Sequence, residues 1–348
     1  AVHVLRLRRR EELRERSLTI AEASERTVTT FPLMGTLATL CIPGEVDPPV
    51  TAAVCRTLRD LERRLTVNGP PEARARSQVE AINVMAGRGA VEVDAEVYDL
   101  VRTAVLASRE HRGSFNALIG PVVKAWRIGF ADARVPSAEK IASLLALTDP
   151  DDVELDDARC TVGLRRTGMR LDLGAIAKGH AADRAAEVYR AHGVRNGLID
   201  LGGNVVAMGT AETGDPWRVG IQSPFQPRGT VRGTLAARDA SVVTSGVYER
   251  VLEVDGRRYH HMLDPLTGHP FDTDLASVTI IARSSLTADL WATVAQRGGL
   301  AGGYAAVAAE PGIEAVFVTR SGQVVATPGC RTLLTPADLS GSQPVWTG

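Results

Sequence analysis

Asp289 and Thr293 stand four residues apart in Ala288-Asp289-Leu290-Trp291-Ala292-Thr293. On a helix that spacing turns a carboxylate and a hydroxyl to one side. Two hard oxygen donors suit Mg²⁺, with phosphate oxygens and water completing its shell. The same pair also reads as an acid near a helix start meeting the dipole, with a threonine bonding back to the carbonyl one turn earlier. A second segment, Leu171-Asp172-Leu173-Gly174-Ala175-Ile176-Ala177-Lys178-Gly179-His180, predicts a short strand, a small-residue turn and a helix over about 176–192 that stops at Gly193. Small residues let a ligand approach the backbone, and free N–H groups at a helix start suit a phosphate. A cation such as Lys178 opposes the dipole there. Either a bound polyanion or a side chain snorkelling into solvent accounts for it. The segment is neither a GxGxxG loop nor a Walker A sequence.

Three of the seven histidines, His260, His261 and His269, fall in Tyr259–Pro270 around the turn signals Asp264-Pro265 and Thr267-Gly268. Their spacing matches no common zinc pattern and no cysteine is near, so one histidine as general base is the more economical reading. Val243–Arg250 predicts a strand running into a Ser-Gly turn, with hydroxyls and a guanidinium for a phosphate, or a plain hairpin. Ile119–Arg127 sets Trp126 between two cations, for stacking on a planar ring or for the core.

The elements that must position these groups are legible as patterns. Thr36–Ile42 alternates as a strand, and Thr51–Leu65 carries Val54, Leu58, Leu61 and Leu65 at helical spacing. Asn68–Pro71 is a loop, while Val97–His111 and Pro136–Leu147 are helices. Gly197–Leu201 and Asn204–Met208 flank Gly202-Gly203, a two-residue hairpin signature. Trp217–Ile221, Ser241–Thr244 and Ala276–Ala282 predict strands. Thr287–Ala295 predicts a helix capped by Ser284 or Ser285. Glu314–Thr319 and Gln323–Ala326 close a last hairpin. No regular βαβ beat runs through the chain, so the fold class is α+β, with mixed and antiparallel sheets and packed helices.

Composition bounds the function. The chain has 348 residues, 44% hydrophobic and 23% charged, as in ordinary globular proteins. Lys+Arg is 40 against Asp+Glu 41, a net charge of -1, which argues against a duplex-DNA binder. Cys41, Cys55, Cys160 and Cys330 form no CxxC pair and read as reduced structural thiols, which fits the cytoplasm. Residue 1 is Ala, so a trimmed N-terminus leaves a membrane-associated or exported location open. Residues 1–17 carry six Arg and three Glu, and we expect a basic extension over 1–26 ahead of one domain over 27–340.

Read in order, these segments resemble the ApbE family, the FAD:protein FMN transferases. The resemblance rests on Met34-Gly35-Thr36, Asn83, Gly113–Phe130, Leu171–Asp183, Asp200–Asn204, Thr244–Arg250, His261–Pro270 and Ser277–Thr293. It implies an α+β fold with one active-site cleft. It also implies transfer of FMN from FAD to a Ser or Thr hydroxyl of a target flavoprotein, with release of AMP. By the match, Asp289, Thr293 and the carbonyl of Ala175 hold Mg²⁺; Asp172 and Lys178 contact FAD; Met34, Trp126, Arg127, Ile128 and Leu263 line the flavin or adenine pocket; and His261, with Asp289, is catalytic. Phe115-Asn116-Ala117 stands where many members have Phe-Asp-Pro. Thr66-Val67-Asn68 lacks a Tyr common in the family, and Trp291 replaces a smaller residue. An FAD pyrophosphatase yielding FMN and AMP, or a non-catalytic flavin-binding protein, are the alternatives.

Overall fold

The computed structural model describes residues 19–23, 26–227, 229–336 and 345–346. The basic run at the N-terminus and the expected domain end at 340 lie outside the described residues. The chain divides into two compact units. One holds Asp60–Ala177 and Glu249–Asp272; the other holds Lys178–Tyr248, the described residues up to Arg59 and those from Thr273 on.

The second of these, the sheet unit, is built on ten strands. In chain order these are β1 (Thr19–Ala23), β2 (Arg26–Leu33), β3 (Thr36–Pro43), β7 (Gly197–Leu201), β8 (Asn204–Met208), β11 (Ala240–Gly246), β14 (Leu275–Ala282), β15 (Glu314–Thr319), β16 (Val324–Ala326) and β18 (Val345–Trp346). They pair in that same order, antiparallel throughout except for β16 with β18. The part of the expected extension that is described, Thr19–Ala23, is thus an edge strand. A smaller sheet of β9 (Trp217–Gln222), β10 (Val231–Ala237) and β17 (Leu334–Pro336) joins it through an apolar core that includes Trp217, Val219, Leu235, Val242, Ile281 and Val316. Every residue of β14 is buried, as its near-continuous Val and Ile content requires of a strand covered on both faces.

Helices α1 (Pro48–Leu65), α7 (Ala177–Ala191) and α8 (Ser285–Ala309) complete the sheet unit, the chain leaving it within α1 after Arg59. Helix α8 packs on β11 and β14. It runs well past the predicted 287–295 and kinks at Gly299, whose φ of 66° only glycine adopts readily. The N–H of Leu300 beyond the kink is met by Asp274 Oδ1 at 2.9 Å.

The other unit is helix-rich: α2 (Pro71–Arg74), α3 (Gln78–Val84), α4 (Ala95–Glu110), α5 (Gly120–Trp126) and α6 (Ala138–Leu145). A three-stranded sheet of β4 (Ala90–Glu92), β5 (Val153–Asp156) and β6 (Thr161–Leu164) and a hairpin of β12 (Val251–Val254) and β13 (Arg257–His260) accompany them. Trp126, Val122, Ile128, Ile141 and Leu252 form a core here.

One expected strand is absent: Leu171–Leu173 is irregular. Its backbone groups bond elsewhere than to a ladder. The Leu171 N–H donates to Asn83 Oδ1 at 2.6 Å, Asn83 Nδ2 donates to the Leu171 carbonyl at 3.0 Å, and the Asp172 N–H donates to the Ala117 carbonyl at 2.8 Å. An asparagine side chain satisfies both polar groups of one residue, so no neighbouring strand is needed. No helix among the described residues is long and apolar enough to cross a membrane.

Candidate active site

In the sheet unit the site grows from two hairpin turns and two helix starts. Met34-Gly35 turns β2 into β3 with φ of 48° and 73°, and Gly202-Gly203 turns β7 into β8 with φ of 67° and 102°. Two positive φ values in a row suit a tight antiparallel hairpin. The two turns are neighbours, since a Cβ on Gly202 would lie 2.0 Å from Thr36 Oγ1. Asp200 Oδ1 accepts the Gly203 N–H at 2.8 Å, and the next residue, Asn204, opens β8 fully buried. Asn204 pairs with Val243 of β11, so Ser245, two residues on, shares its face of the sheet. Thr244 lies on the opposite face and bonds Thr279 there, Oγ1 to Oγ1 at 2.9 Å.

Lys178, in the first turn of α7, neither floats in solvent nor stands alone. Its Nζ donates to Asn204 Oδ1 at 2.7 Å and lies 3.6 Å from Asp289 Oδ1. The Gly179 N–H donates to Asp289 Oδ2 at 2.9 Å. Asp289 is 3% exposed. Burial pushes its carboxyl pKa up, while the Lys178 charge, the Asn204 amide and the Gly179 N–H pull it back. Thr293, half-buried one turn further along α8, makes only a long 3.5 Å contact among the described residues, from Oγ1 to the Asp289 carbonyl. Its hydroxyl is therefore weakly committed to the back-bond.

Asp183, one turn after Gly179, holds the start of α8. Its Oδ1 accepts the Ser285 N–H at 2.8 Å, and its Oδ2 accepts the Leu286 N–H at 2.9 Å and the Ser284 hydroxyl at 2.8 Å. Ser284 in turn caps α8 by accepting the Thr287 N–H. The helices touch so closely that a Cβ on Gly179 would stand 2.3 Å from the Ser285 carbonyl oxygen. The sequence patterns give neither Asn204 nor Asp183 an individual role. A lone amide opening the apolar strand NVVAM is the signal that marks Asn204; for Asp183 helical spacing from Gly179 is the only hint.

The helix-rich unit carries the remaining candidates. Asp172 Oδ2 accepts from Asn68 Nδ2 at 2.8 Å and Oδ1 from the Gly174 N–H at 2.9 Å; Ala175 sits in the turn just beyond. The Trp126 ring is core: it is 0% exposed, its Nε1 donates to the Gly268 carbonyl at 2.8 Å, and Tyr259 and His269 pack on it. Any ligand contact at this residue falls to its backbone. Ile128 is buried in the same core. Arg127 adopts φ of 54° at the end of α5, pairs with Asp132 at 3.0 Å and lies over the Phe130 ring. Leu263 packs against this core and bridges Pro270. The Asp264 turn is as expected, with Oδ1 accepting the Leu266 N–H at 2.8 Å and the Asp264 carbonyl accepting the Gly268 N–H at 2.8 Å. His261 precedes it, half-buried, its N–H bonded to the Arg250 carbonyl at 3.1 Å. Neighbouring His260 is spent on the Phe271 carbonyl at 2.9 Å. No three of His, Cys, Asp and Glu among the described residues are grouped to hold a metal.

An α+β protein with a buried Asp–Lys–Asn cluster beside tight glycine turns is a class suited to phosphate chemistry. The ApbE family model matches residues 34–317, and this chain belongs to the ApbE family. A FAD:protein FMN transferase of Klebsiella pneumoniae (strain 342) is 43% identical over 297 residues, covering 85% of this chain and 90% of that protein. One of Treponema pallidum (strain Nichols) is 39% identical over 267 residues, covering 73% and 74%. Among solved structures, the ApbE protein of Thermotoga maritima aligns with a TM-score of 0.78 at 30% identity over 86% of this chain and 96% of that one. Flavin transferase ApbE from Vibrio cholerae aligns at 0.77 and 25% identity, over 89% and 99%.

Proposed function

We propose that this protein transfers FMN from FAD to a Ser or Thr hydroxyl of a target protein. The acceptor oxygen attacks the FMN-side phosphorus of the pyrophosphate. The P–O bond to the AMP phosphate breaks, AMP leaves, and a phosphoester bond remains. The proton of the hydroxyl passes to a general base, the role we give His261. The relatives named FAD:protein FMN transferase support the reaction. The observation that carries it is the pairing of Asp289 with Lys178 and the Gly179 N–H.

The residues fit a divalent ion. A buried carboxylate whose ionised form is disfavoured by burial gains from a cation, and the Thr293 hydroxyl on the same face is held only by a long contact. Asp289 and Thr293 would hold Mg²⁺, which when bound offsets phosphate charge as phosphorus changes partners. Lys178 supplies a fixed positive charge for the same task, and Asn204 holds its ammonium in place. Asp172, oriented by Asn68, serves FAD binding, as does Met34 at its turn.

Incubation with FAD, Mg²⁺ and a polypeptide bearing the acceptor hydroxyl tests the reading. A flavin-fluorescent band that survives denaturation is the expected result. FMN and AMP released with no labelled acceptor would replace transfer by hydrolysis.

A further inference from the structure

On the helix-rich unit two arginines share one carboxylate, and a lysine stands on the helix packed beside one of them. Glu80 in α3 is buried, and its two oxygens are taken by Arg74, 3.0 Å from Oε1, and by Arg170 on Oε2. Arg170 backs onto α5: a Cβ on Gly120 would lie 2.6 Å from the Arg170 carbonyl and 2.8 Å from its Cβ. Lys124 is one turn along that helix from Gly120, hence on the same face. Its ammonium is half-buried and makes no hydrogen bond or ion pair among the described residues.

The arginines are only partly spent. Arg74 also uses Nε on the Gly69 carbonyl at 3.2 Å, and among the described residues Arg170 bonds Glu80 alone. Their side chains are 31% and 21% exposed, so the remaining N–H groups are within reach of a ligand. Three positive charges against one negative leave a net +2. Burial, then Arg170 and Arg74, lower the Lys124 pKa, and the Glu80 charge only partly opposes them.

We propose that Arg74, Lys124 and Arg170 form a binding site for a phosphate dianion, either free phosphate or the terminal phosphate of a nucleotide. A dianion cancels the surplus charge, whereas a single carboxylate leaves half of it. Arginine forks match phosphate geometry, and Lys124 adds a point charge.

Calorimetric titration of the full chain with inorganic phosphate at about pH 8, where the ion is doubly charged, tests this at constant ionic strength against chloride. A second titration uses AMP. Neither contains FAD or Mg²⁺; because AMP is also the product of the proposed transfer, the change in affinity in Lys124→Met, not AMP binding itself, separates this site from the transferase reading. Saturable one-to-one binding is expected, weakened about tenfold in Lys124→Met and kept in Lys124→Arg. If AMP loses more affinity than phosphate in Lys124→Met, the site takes nucleotides; equal losses assign it to free phosphate. In chloride alone, Lys124→Met should melt no lower than the parent, because the lost ammonium has no partner. No saturable binding of either ion, equal affinity in Lys124→Met, or a lower melting point of that variant in chloride would each overturn the proposal.

Discussion

Gly179 and Asp289 lie 110 residues apart and are joined by one hydrogen bond, N–H to Oδ2 at 2.9 Å. The bond exists because a glycine lets α7 reach the Ser285 carbonyl at the start of α8. Together with Lys178 it gives a nearly buried carboxylate two positive neighbours. Stability and flavin transfer should therefore both depend on that junction.

Gly179→Ala places a methyl 2.3 Å from a backbone oxygen that cannot swing aside. Overpacking of this kind costs about 1–3 kcal/mol. Denaturant melts should show that loss, and flavin transfer should fall with it even where the variant is folded. A variant of parental stability would mean that the helices have slack.

Asp183→Ala removes the acceptor for Ser284, Ser285 and Leu286. The expected destabilisation is about 1–3 kcal/mol, as for a lost helix cap with unsatisfied donors. The Mg²⁺ concentration needed for half-maximal transfer should rise, because α8 carries Asp289 and Thr293. Asp183→Asn, which keeps an acceptor oxygen, should recover part of both losses.

Asp289→Ala should lower transfer by about 10²-fold or more while the circular dichroism spectrum keeps its helix and strand content. Thr293→Ala should act mainly on the Mg²⁺ requirement. Unchanged turnover in Asp289→Ala would remove the metal assignment and the proposed mechanism with it.

Tyr189 sits fully buried in α7, and burial pushes its phenol up to about 12, with the Thr51 side chain opposing. The folded pKa lies above the unfolded value of about 10. The stabilising term is therefore complete below pH 10 and is lost as pH rises through about 12. Over that window the parent should lose about 2–3 kcal/mol through this group. Tyr189→Phe should lack that part of the alkaline slope in unfolding measured between the two pH values.

His261→Ala tests the base. A slower transfer step with FAD affinity retained is expected; loss of FAD affinity with the rate preserved would make His261 a binding residue instead.

Local chemistry made much of this molecule readable from its residues. The Val54-Leu58-Leu61-Leu65 stripe marked α1, Gly202-Gly203 marked the β7–β8 hairpin, and the Ser284-Ser285 pair marked the start of α8, with Ser284 the cap. These signals succeed because a turn or a helical face depends on residues within a few positions of each other. The Leu171–Leu173 strand failed for the opposite reason. An apolar run favours a strand, yet Asn83, 88 residues away, takes both polar groups of Leu171.

Residue types and spacing, by themselves, determined the fold class and the Asp289–Thr293 register on one helical face. Tertiary structure alone decided that Lys178 answers to Asn204 and Asp289, that Trp126 is core, and that Arg74 and Arg170 share one glutamate. Those outcomes depend on which distant segments pack together and how much water they exclude. A buried charge takes its partner and its pKa from that packing, and no short stretch of chain encodes it.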